Sequence, residues 1–349
     1  MSGRTRCRTP GCRLIAVLVA SVLAVLAGTA ETRAEAERAY TLATATTAGT
    51  YYPVGVALAT LTKVKLEPER HITMSAMTSA GSDENVRLLR EDRAQFAILQ
   101  GLFGAWAWTG TGALDDIGPQ TDLRSISMLW QNVEHFTVHS EHVVDGTIAD
   151  LAEMAGQRFA IGARGSGAEG SGRTILASIG IDPDAVLDLV YQDYAASIEA
   201  LHDGTIAGMN TPGGVPVAAV TRGAAMLGDA IRVLDITDAQ MIAANAGAGL
   251  DLWTRYVIPE GTYPGQSAEI RTIAQPNFLG VRADVDEDAV YWITRTIYEN
   301  LSFLQAIHPA TNDMAPERAL AGLPFPLHPG ALRYYLEQRL TVPDHLIAR

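Results

Sequence analysis

The stretch GARGSGAEGSGR, at residues 162–173, contains the loop that decides the fold class. An apolar run at 158–161 precedes it, and a run with helical periodicity at 174–179 follows it. A strand, a glycine-rich loop and a helix in this order predict a βα unit, which builds parallel sheets where it recurs. Residues 165–170 also fit G-x-G-x-x-G, the pattern of dinucleotide-binding loops. The stretch is therefore compatible with a nicotinamide-dependent enzyme or with a loop that binds another anion.

The same strand, loop and helix pattern recurs along the chain. We interpret as strands the apolar runs at 40–44, 72–77, 95–99, 158–161, 187–191 and 206–209. Helical periods are expected at 54–63, 84–90, 174–179, 195–202, 286–306, 316–321 and 330–339. Pro53 is placed at the first helical position of its helix, and Ser82 is placed as an N-cap. Two longer extended segments, at 124–142 and 271–282, interrupt the alternation. The pattern predicts two α/β lobes joined by two crossings, with a ligand cleft where strand ends from both lobes meet.

The N-terminal residues 1–36 have the composition of a secretory signal. Four arginines precede an uncharged apolar run at 14–27, and small residues follow it, which places the cleavage site between 30 and 36. This predicts export to the periplasm. Both cysteines, Cys7 and Cys12, lie in this segment, so the mature chain would have no thiol for catalysis or for metal binding.

The charge of the chain argues against two classes of partner. The formal net charge is −13, and the first 30 residues hold four arginines and no acidic residue, so removing them gives −13 − 4 = −17. An acidic protein of this kind is not expected to bind nucleic acid or an anionic membrane surface. No run after the signal is apolar enough to span a bilayer, so no direct membrane insertion is expected after cleavage.

Three loops with small residues open helices and so would expose backbone N–H groups at the positive end of a helix dipole: 47–53, 78–85 and 163–171. Together they suit a small anionic organic ligand, most simply a carboxylate. Hydroxyl and amide groups that could add hydrogen bonds belong to Thr50, Tyr51, Ser82, Gln100, Ser166 and Asn210. Arg164 could reach a carboxylate from its loop. Each polar residue alone could equally serve capping or turn formation, so the prediction rests on their convergence.

Metal and nucleotide sites are less well supported. His135, His139 and His142 lie in a segment interpreted as extended, where the first two would be about 13 Å apart and the third would face the other way, so we predict no metal site. For a dinucleotide, Asp188 or Asp193 lies near the required spacing after the glycines. However, the motif is in mid-chain, the protein is expected to be exported, and no acid/base pair stands out. We therefore predict no cofactor and no catalysis, with an exported nucleotide-dependent oxidoreductase as the alternative from another class.

The chain resembles the TAXI family of solute-binding proteins, the extracytoplasmic receptors of TRAP (tripartite ATP-independent periplasmic) transporters. The matching stretches include TAGTYYPVGVALATL (47–61), SAGSDENVRLLREDRAQFAILQG (79–101), GQRFAIGARGSGAEGSGRTIL (156–176) and GLPFPLHPGALRYY (322–335), in the family's order over nearly the whole mature chain. The resemblance implies a type II periplasmic-binding-protein-like fold. It also implies capture of a glutamate-like amino acid or a dicarboxylate, which is passed to TRAP transporter membrane subunits. A ligand-sensing protein that is not coupled to transport is the alternative within binding proteins.

The resemblance also implies site residues. The family's ligand loops and strand-end glutamine fall on Thr50, Tyr51, Gly81, Ser82, Asn85, Gln100, Ser166 and Gly167. Ala168 stands where the family usually has a hydroxyl residue, and MNTPGGVP (209–216), with Asn210 and Thr211, is longer and more polar than the family's turn. Together with Arg164, these residues are the predicted ligand-binding set. One lobe is expected to comprise 37–134 and 276–349, and the other 135–275.

Overall fold

The computed structural model describes Met1, Gly3 and residues 37–348. The predicted signal segment therefore lies outside the described residues, apart from Met1 and Gly3. The strands are β1 (Arg38–Ala43), β2 (Ile72–Met77), β3 (Phe96–Gln100), β4 (Leu123–Val133), β5 (Phe136–His139), β6 (Arg158–Ala160), β7 (Asp188–Val190), β8 (Gly208–Asn210), β9 (Ile231–Val233), β10 (Thr254–Ile258) and β11 (Ile270–Arg282).

The α-helices of the described residues are α1 (Tyr51–Arg70), α2 (Ser82–Arg90), α3 (Gly101–Thr109), α4 (Gly167–Ser178), α5 (Pro183–Val186), α6 (Tyr194–His202), α7 (Ala218–Leu227), α8 (Asp238–Ala248), α9 (Glu287–Glu299), α10 (Leu301–Ile307) and α11 (Pro329–Glu337). Short 3₁₀ helices lie at Gly112–Ile117, Ser140–His142, Ile148–Glu153, Gly228–Ala230, Pro309–Asp313, Pro316–Arg318 and Asp344–Leu346.

The first sheet is built around the long strand β11. Strands β2, β1 and β3 pair in parallel, and β11 joins β3 in antiparallel fashion. The opposite edge of β11 pairs with β4. On the same edge as β3, the first residues of β11 pair with β10. Residues 272–281 of β11 are buried without interruption, because neighbouring strands and helices cover this strand on every side. Pro276, which has no N–H to donate, lies where the pairing of one edge changes from β10, at Ala274, to β3, at Asn277.

The second sheet has the order β7-β6-β8-β5-β9. Strands β7, β6 and β8 are parallel, and β5 is antiparallel to both β8 and β9. A separate cluster of buried side chains, which includes Phe136, Phe159, Ile175 and Trp253, packs against this sheet. Each of the two sheets thus has its own hydrophobic core and its own helices, which gives two α/β lobes.

Two segments connect the sheets, and both are extended as the sequence predicts. In the first, β4 leads into β5 through Glu134 and His135, which bend the extended segment expected at 124–142. In the second, β11 brings the chain back into the first sheet. Strand β10 falls within the 135–275 range expected for the second lobe, yet it pairs with β11 in the first sheet.

Several helices differ from the sequence-based expectations. Helix α1 runs from Tyr51 to Arg70, well beyond 54–63, and Pro53 is its third residue and not its first. Ser82 is the first residue of α2 and does not cap it; the N-cap is Gly81. The Ser82 hydroxyl instead accepts a hydrogen bond from the backbone N–H of Gln100, because the start of α2 packs against the end of β3. The predicted helix at 316–321 is only the short 3₁₀ turn Pro316–Arg318.

The sequence analysis did not predict α3, α7, α8, β9 or β10. Helix α3, GLFGAWAWT, is apolar on most sides and therefore has no helical periodicity to detect. Helix α8 did offer a signal: Thr237 and Gln240 form a capping box, in which each side chain accepts from the other residue's backbone N–H. Strands β9 and β10 are three and five residues long, too short for alternation to distinguish them from loops.

The packing of α11 on α9 leads to a prediction for Gly330. A Cβ atom at Gly330 would lie 2.2 Å from the backbone oxygen of Glu287 and 2.6 Å from the backbone nitrogen of Tyr291, and backbone cannot move aside as a side chain can. We expect Gly330→Ala to lower the free energy of unfolding by about 1–3 kcal/mol. Gly49→Ala is the control, since the nearest atom to its Cβ would be 3.7 Å away. Urea unfolding followed by circular dichroism measures both; equal stability of the two variants would contradict the described packing.

Candidate ligand-binding cleft

A cavity lies where loops that follow strands of both sheets meet. Its volume is about 40 Å³. Its lining residues are Ala45, Thr46, Gly49, Thr50, Tyr51, Ala80, Gly81, Ser82, Gln100, Asn132, Ala163, Ser166, Gly167, Ala168, Asp193, Tyr194, Pro212 and Gly213. The three loops that the sequence analysis selected all contribute, and they come from both lobes.

Five helices begin at this cavity. The N-cap residues of α1, α2, α3, α4 and α6 are Thr50, Gly81, Gln100, Ser166 and Asp193, and all five line it. The N–H groups of a first helical turn have no partner within the helix, and the macrodipole makes this end positive. A cavity at which such ends converge therefore favours a negatively charged group.

Tyr51 is held rigidly at one wall of the cavity. Its hydroxyl donates a hydrogen bond of 2.5 Å to Oδ1 of Asn277 on β11. The Asn277 Nδ2 in turn donates to Oδ1 of Asn132 on β4. Burial raises the pKa of Tyr51 well above its ordinary range, so the phenol stays protonated and remains a donor. This chain of hydrogen bonds orients the Asn132 amide at the cavity.

Two buried polar atoms in the lining have no hydrogen-bond partner in the described chain: Oε1 of Gln100 and Nδ2 of Asn132. The two residues are only 3% and 1% exposed. Buried polar groups are nearly always paired in native proteins, because an unpaired one costs desolvation free energy that nothing returns. One free acceptor and one free donor at the same cavity are therefore available to a polar ligand.

The serine hydroxyls at the cavity also make contacts within the protein. Ser166 Oγ accepts a hydrogen bond of 3.1 Å from the N–H of Glu169 and so caps α4. Ser82 Oγ accepts 3.1 Å from the N–H of Gln100 and lies 3.5 Å from the Tyr51 hydroxyl. A serine hydroxyl that accepts one such bond keeps its own proton to donate.

Direct contacts across the cleft show that the two lobes are closed on each other. The N–H of Glu84 donates to the carbonyl of Gly165 at 3.2 Å, between the starts of α2 and α4. The Thr50 hydroxyl exchanges hydrogen bonds with the carbonyl and the N–H of Gly214, at 3.3 and 3.1 Å. Gly81 has φ of 136°, and a Cβ there would lie 3.2 Å from the Gly167 nitrogen. Glycine is required there both for this backbone conformation and for the close approach.

The glycines of G-x-G-x-x-G also serve this closure. Gly167 and Gly170 are inside α4, not in a loop before it. A Cβ at Gly167 would lie 2.6 Å from the Gln100 side chain, and one at Gly170 would lie 2.4 Å from the Phe103 ring. Their missing side chains therefore make room for the first lobe.

The cavity lining includes eight of the twelve predicted site residues: Thr50, Tyr51, Gly81, Ser82, Gln100, Ser166, Gly167 and Ala168. The other four lie outside it. Asn85 is buried, and its Nδ2 donates to the carbonyls of Thr44 and Ile98. Arg164 is exposed, and its guanidinium lies 3.6 Å from the centre of the Tyr191 ring. Asn210 Nδ2 donates to the Ala168 carbonyl, and Thr211, the next residue, is also buried.

The sequence analysis missed Asn132, Asp193 and Tyr194 as cavity residues. Asn132 is a polar residue in a buried strand, a signal that was available in the sequence but was assigned only to a crossing. Asp193 and Tyr194 follow β7, and Asp193 was considered only as a ribose partner. Its Oδ1 accepts from the N–H of Ala196 and caps α6, while the Tyr194 hydroxyl donates to the Pro212 carbonyl.

Glu134 is a fully buried carboxyl group in the first crossing between the sheets. It accepts from the Ser171 hydroxyl of α4 at 3.2 Å, from Trp253 Nε1 at 3.3 Å and from Gln275 Nε2 at 3.4 Å. Burial raises the pKa of this carboxyl to about 7, and these three donors offset only part of the effect. Glu134 thus joins α4 to β11 at the hinge.

The histidines considered as metal ligands make hydrogen bonds to different parts of the protein. His135 is buried; its Nδ1 contacts the Val133 carbonyl at 2.9 Å and its Nε2 the Tyr263 hydroxyl at 2.7 Å. Burial lowers the pKa of His135 to about 4, so the ring is neutral. His139 contacts the Leu201 carbonyl instead. Among the described residues, no group of three or more His, Cys, Asp or Glu side chains is placed to hold a metal ion.

Comparison with known proteins identifies the architecture. The NMT1-like family matches residues 42–338. MatC from Rhodopseudomonas palustris with bound malate is similar with a TM-score of 0.51 and 13% identity, over 86% of this chain and 97% of that one. A protein from Bordetella bronchiseptica RB50 gives 0.50 and 12%, over 87% and 83%. The alkanesulfonate-binding protein SsuA from Xanthomonas axonopodis pv. citri, bound to MOPS, gives 0.46 and 13%, over 90% and 97%.

At these identities the similarity concerns the fold. MatC shares the arrangement of two α/β lobes, so the predicted type II periplasmic-binding-protein-like fold is confirmed. Within residues 37–348, no helix combines the length and the apolar character that crossing a membrane requires.

The environment of Glu134 predicts a pH-dependent stability difference. Because its pKa of about 7 in the folded protein lies above the ordinary 4.5, protonation stabilises the fold fully below about pH 4.5, and this contribution is lost as the pH rises through 7. Between pH 5 and pH 8 the wild-type chain should lose about 2 kcal/mol of unfolding free energy through this group. The glutamine of Glu134→Gln does not titrate, so its unfolding free energy lacks this loss. From pH 5 to pH 8 the variant should therefore gain about 2 kcal/mol of stability relative to the wild-type chain.

Urea unfolding at pH 5 and pH 8 measures this shift. Below pH 6.5, the ordinary pKa of histidine, His135 would bind a proton in the unfolded chain but not in the folded one, which destabilises the fold. This effect is the same in both proteins, so it cancels when their unfolding free energies are compared. Glu153→Gln, the same change at an exposed position, is the control, and its stability difference should stay within about 0.5 kcal/mol at both pH values. A pH-independent difference for Glu134→Gln would show that Glu134 ionises normally.

Proposed function

The chain belongs to the NMT1-like family, and we propose that it is an extracytoplasmic receptor that captures a small organic acid between its two lobes and delivers it to the membrane subunits of a TRAP transporter. The observation that carries this proposal is the convergence of five helix N-termini on one cavity in which Gln100 and Asn132 each keep an unpaired polar atom. Such a cavity offers hydrogen bonds and positive potential to an anion.

Export and transport are supported by the sequence. Residues 1–36 have the composition of a secretory signal, which agrees with a periplasmic location. The motifs shared with the TAXI family support coupling to TRAP membrane subunits and a ligand such as a glutamate-like amino acid or a dicarboxylate. MatC, which has a similar fold, holds malate, a dicarboxylate.

The same cavity favours binding over nucleotide-dependent catalysis. The glycines at 167 and 170 are occupied by contacts with Gln100 and Phe103 of the first lobe and so leave no room for a pyrophosphate. A space of about 40 Å³ is also far smaller than a dinucleotide requires. We therefore propose a receptor without catalytic activity.

Closure around the ligand follows from the two connections between the lobes. The ligand enters when the contacts of Thr50 with Gly214 and of Glu84 with Gly165 are broken. Its carboxylate then replaces water at the starts of α2 and α4, and closure restores these contacts. Binding shifts the population towards the closed form by no more than the ligand's difference in affinity between the two forms.

A thermal-shift screen of amino acids, monocarboxylates and dicarboxylates, followed by calorimetry, tests the function. An acid at 100 times its Kd should add about 2.7 kcal/mol to the unfolding free energy. Reduced nicotinamide cofactor should not bind in the micromolar range. Failure of every acid to bind, or micromolar binding of the cofactor, would contradict the proposal.

Ser166→Ala tests the role of the α4 start. Loss of the Ser166 hydroxyl removes one hydrogen bond to the ligand carboxylate and should weaken binding by about 1.5–3 kcal/mol. The free energy of unfolding should also fall by about 1 kcal/mol, because Ser166 caps α4. Thr237→Ala is the matched control: it removes the cap of α8, outside the cavity, and should lower stability alone. Calorimetry that finds the same affinity in both variants would remove Ser166 from the site.

A further inference from the structure

The charges at the cavity limit what the ligand can carry. Among its described lining residues there is one carboxylate, Asp193, and no lysine or arginine. The starts of α2 and α4 face each other across the cleft, and each is equivalent to roughly half a positive charge. With the starts of α1, α3 and α6 the cavity gathers about 2.5 positive charges, and Asp193 offsets one of them, so one ligand carboxylate is balanced fully and a second only in part. A second carboxylate on the ligand would have no cation to meet and would share the cavity with Asp193.

The unpaired atoms define two further contacts. Asn132 Nδ2 is a donor without an acceptor in the described chain, and a ligand oxygen would pair it. Gln100 Oε1 is an acceptor without a donor there, and a ligand N–H or O–H group would pair it. A simple carboxylate satisfies the first and leaves the second buried and unpaired.

The size of the cavity is the third limit. The cavity has a volume of about 40 Å³ in the closed form. A compact acid suits this space better than a long-chain acid does.

From these observations, and on the basis of the proposed function, we propose that the cavity selects a compact acid with one carboxylate and one adjacent hydrogen-bond donor, a hydroxyl or an ammonium, over a dicarboxylate of the same size. The carboxylate contacts Asn132 and the starts of α2 and α4. The donor group contacts Gln100. An ammonium would also be attracted by Asp193.

Four acids of matched size test the selection: lactate carries a hydroxyl, alanine an ammonium, propionate neither, and malonate a second carboxylate. Calorimetry should give lactate or alanine an affinity at least tenfold above those of propionate and malonate. The choice between lactate and alanine identifies the donor. Malonate as the tightest ligand, propionate equal to lactate and alanine, or binding only by larger acids would overturn the inference and leave the receptor function standing. No binding by any acid of the wider screen would refute the receptor function itself.

Two variants locate the contacts. Gln100→Met should lower the affinity for the preferred acid at least tenfold and leave the affinity for propionate unchanged. Misfolding would instead lower both affinities together. Asn132→Asp keeps the oxygen that accepts from Asn277 but replaces the donor with a negative charge, and should abolish binding of the preferred acid. Asn312→Asp, the same change at an exposed position outside the lining, should bind normally. Retained binding in Asn132→Asp, or parallel losses for both acids in Gln100→Met, would contradict the assigned contacts.

Discussion

Five helices begin at one small cavity, and this convergence constrains the rest of the structure. In an open α/β sheet, helices that follow parallel strands start at the same edge, so their N–H groups point to the same region. Here two sheets are placed so that these edges face each other, and the N-caps Thr50, Gly81, Gln100, Ser166 and Asp193 line one space. The long strand β11 and the crossing at Glu134 and His135 hold the edges in this relation.

The close approach of the two edges explains why particular residues are small or polar. Gly81, Gly167 and Gly170 lie where backbone or a large side chain of the opposite lobe comes within contact distance. Thr50 makes hydrogen bonds to the Gly214 backbone across the cleft. The same residues that suggest an anion-binding loop in the sequence are thus also the residues that permit closure.

The sequence predicted the architecture and eight of the eighteen residues that line the cavity, because these depend on local patterns. Strand 72–77 is observed with the predicted bounds. The helices that open at 51, 82 and 167 begin inside the predicted loops, a few residues before the expected starts at 54, 84 and 174. Long-range contacts could not be predicted. Asn132 could be noticed as a polar residue in a buried strand, but the contact that orients its amide comes from Asn277, 145 positions later. Asn85 has the expected position but turns its amide to the carbonyls of Thr44 and Ile98, which no local pattern reveals.

The most direct test of the account is a crystal structure of the protein with the acid that binds best in solution. The account predicts that its carboxylate lies between the starts of α2 and α4, within hydrogen-bond distance of backbone N–H groups there and of Asn132 Nδ2, with no lysine or arginine in contact. A carboxylate held by a cationic side chain, or an acid bound outside the space between the two sheets, would contradict it.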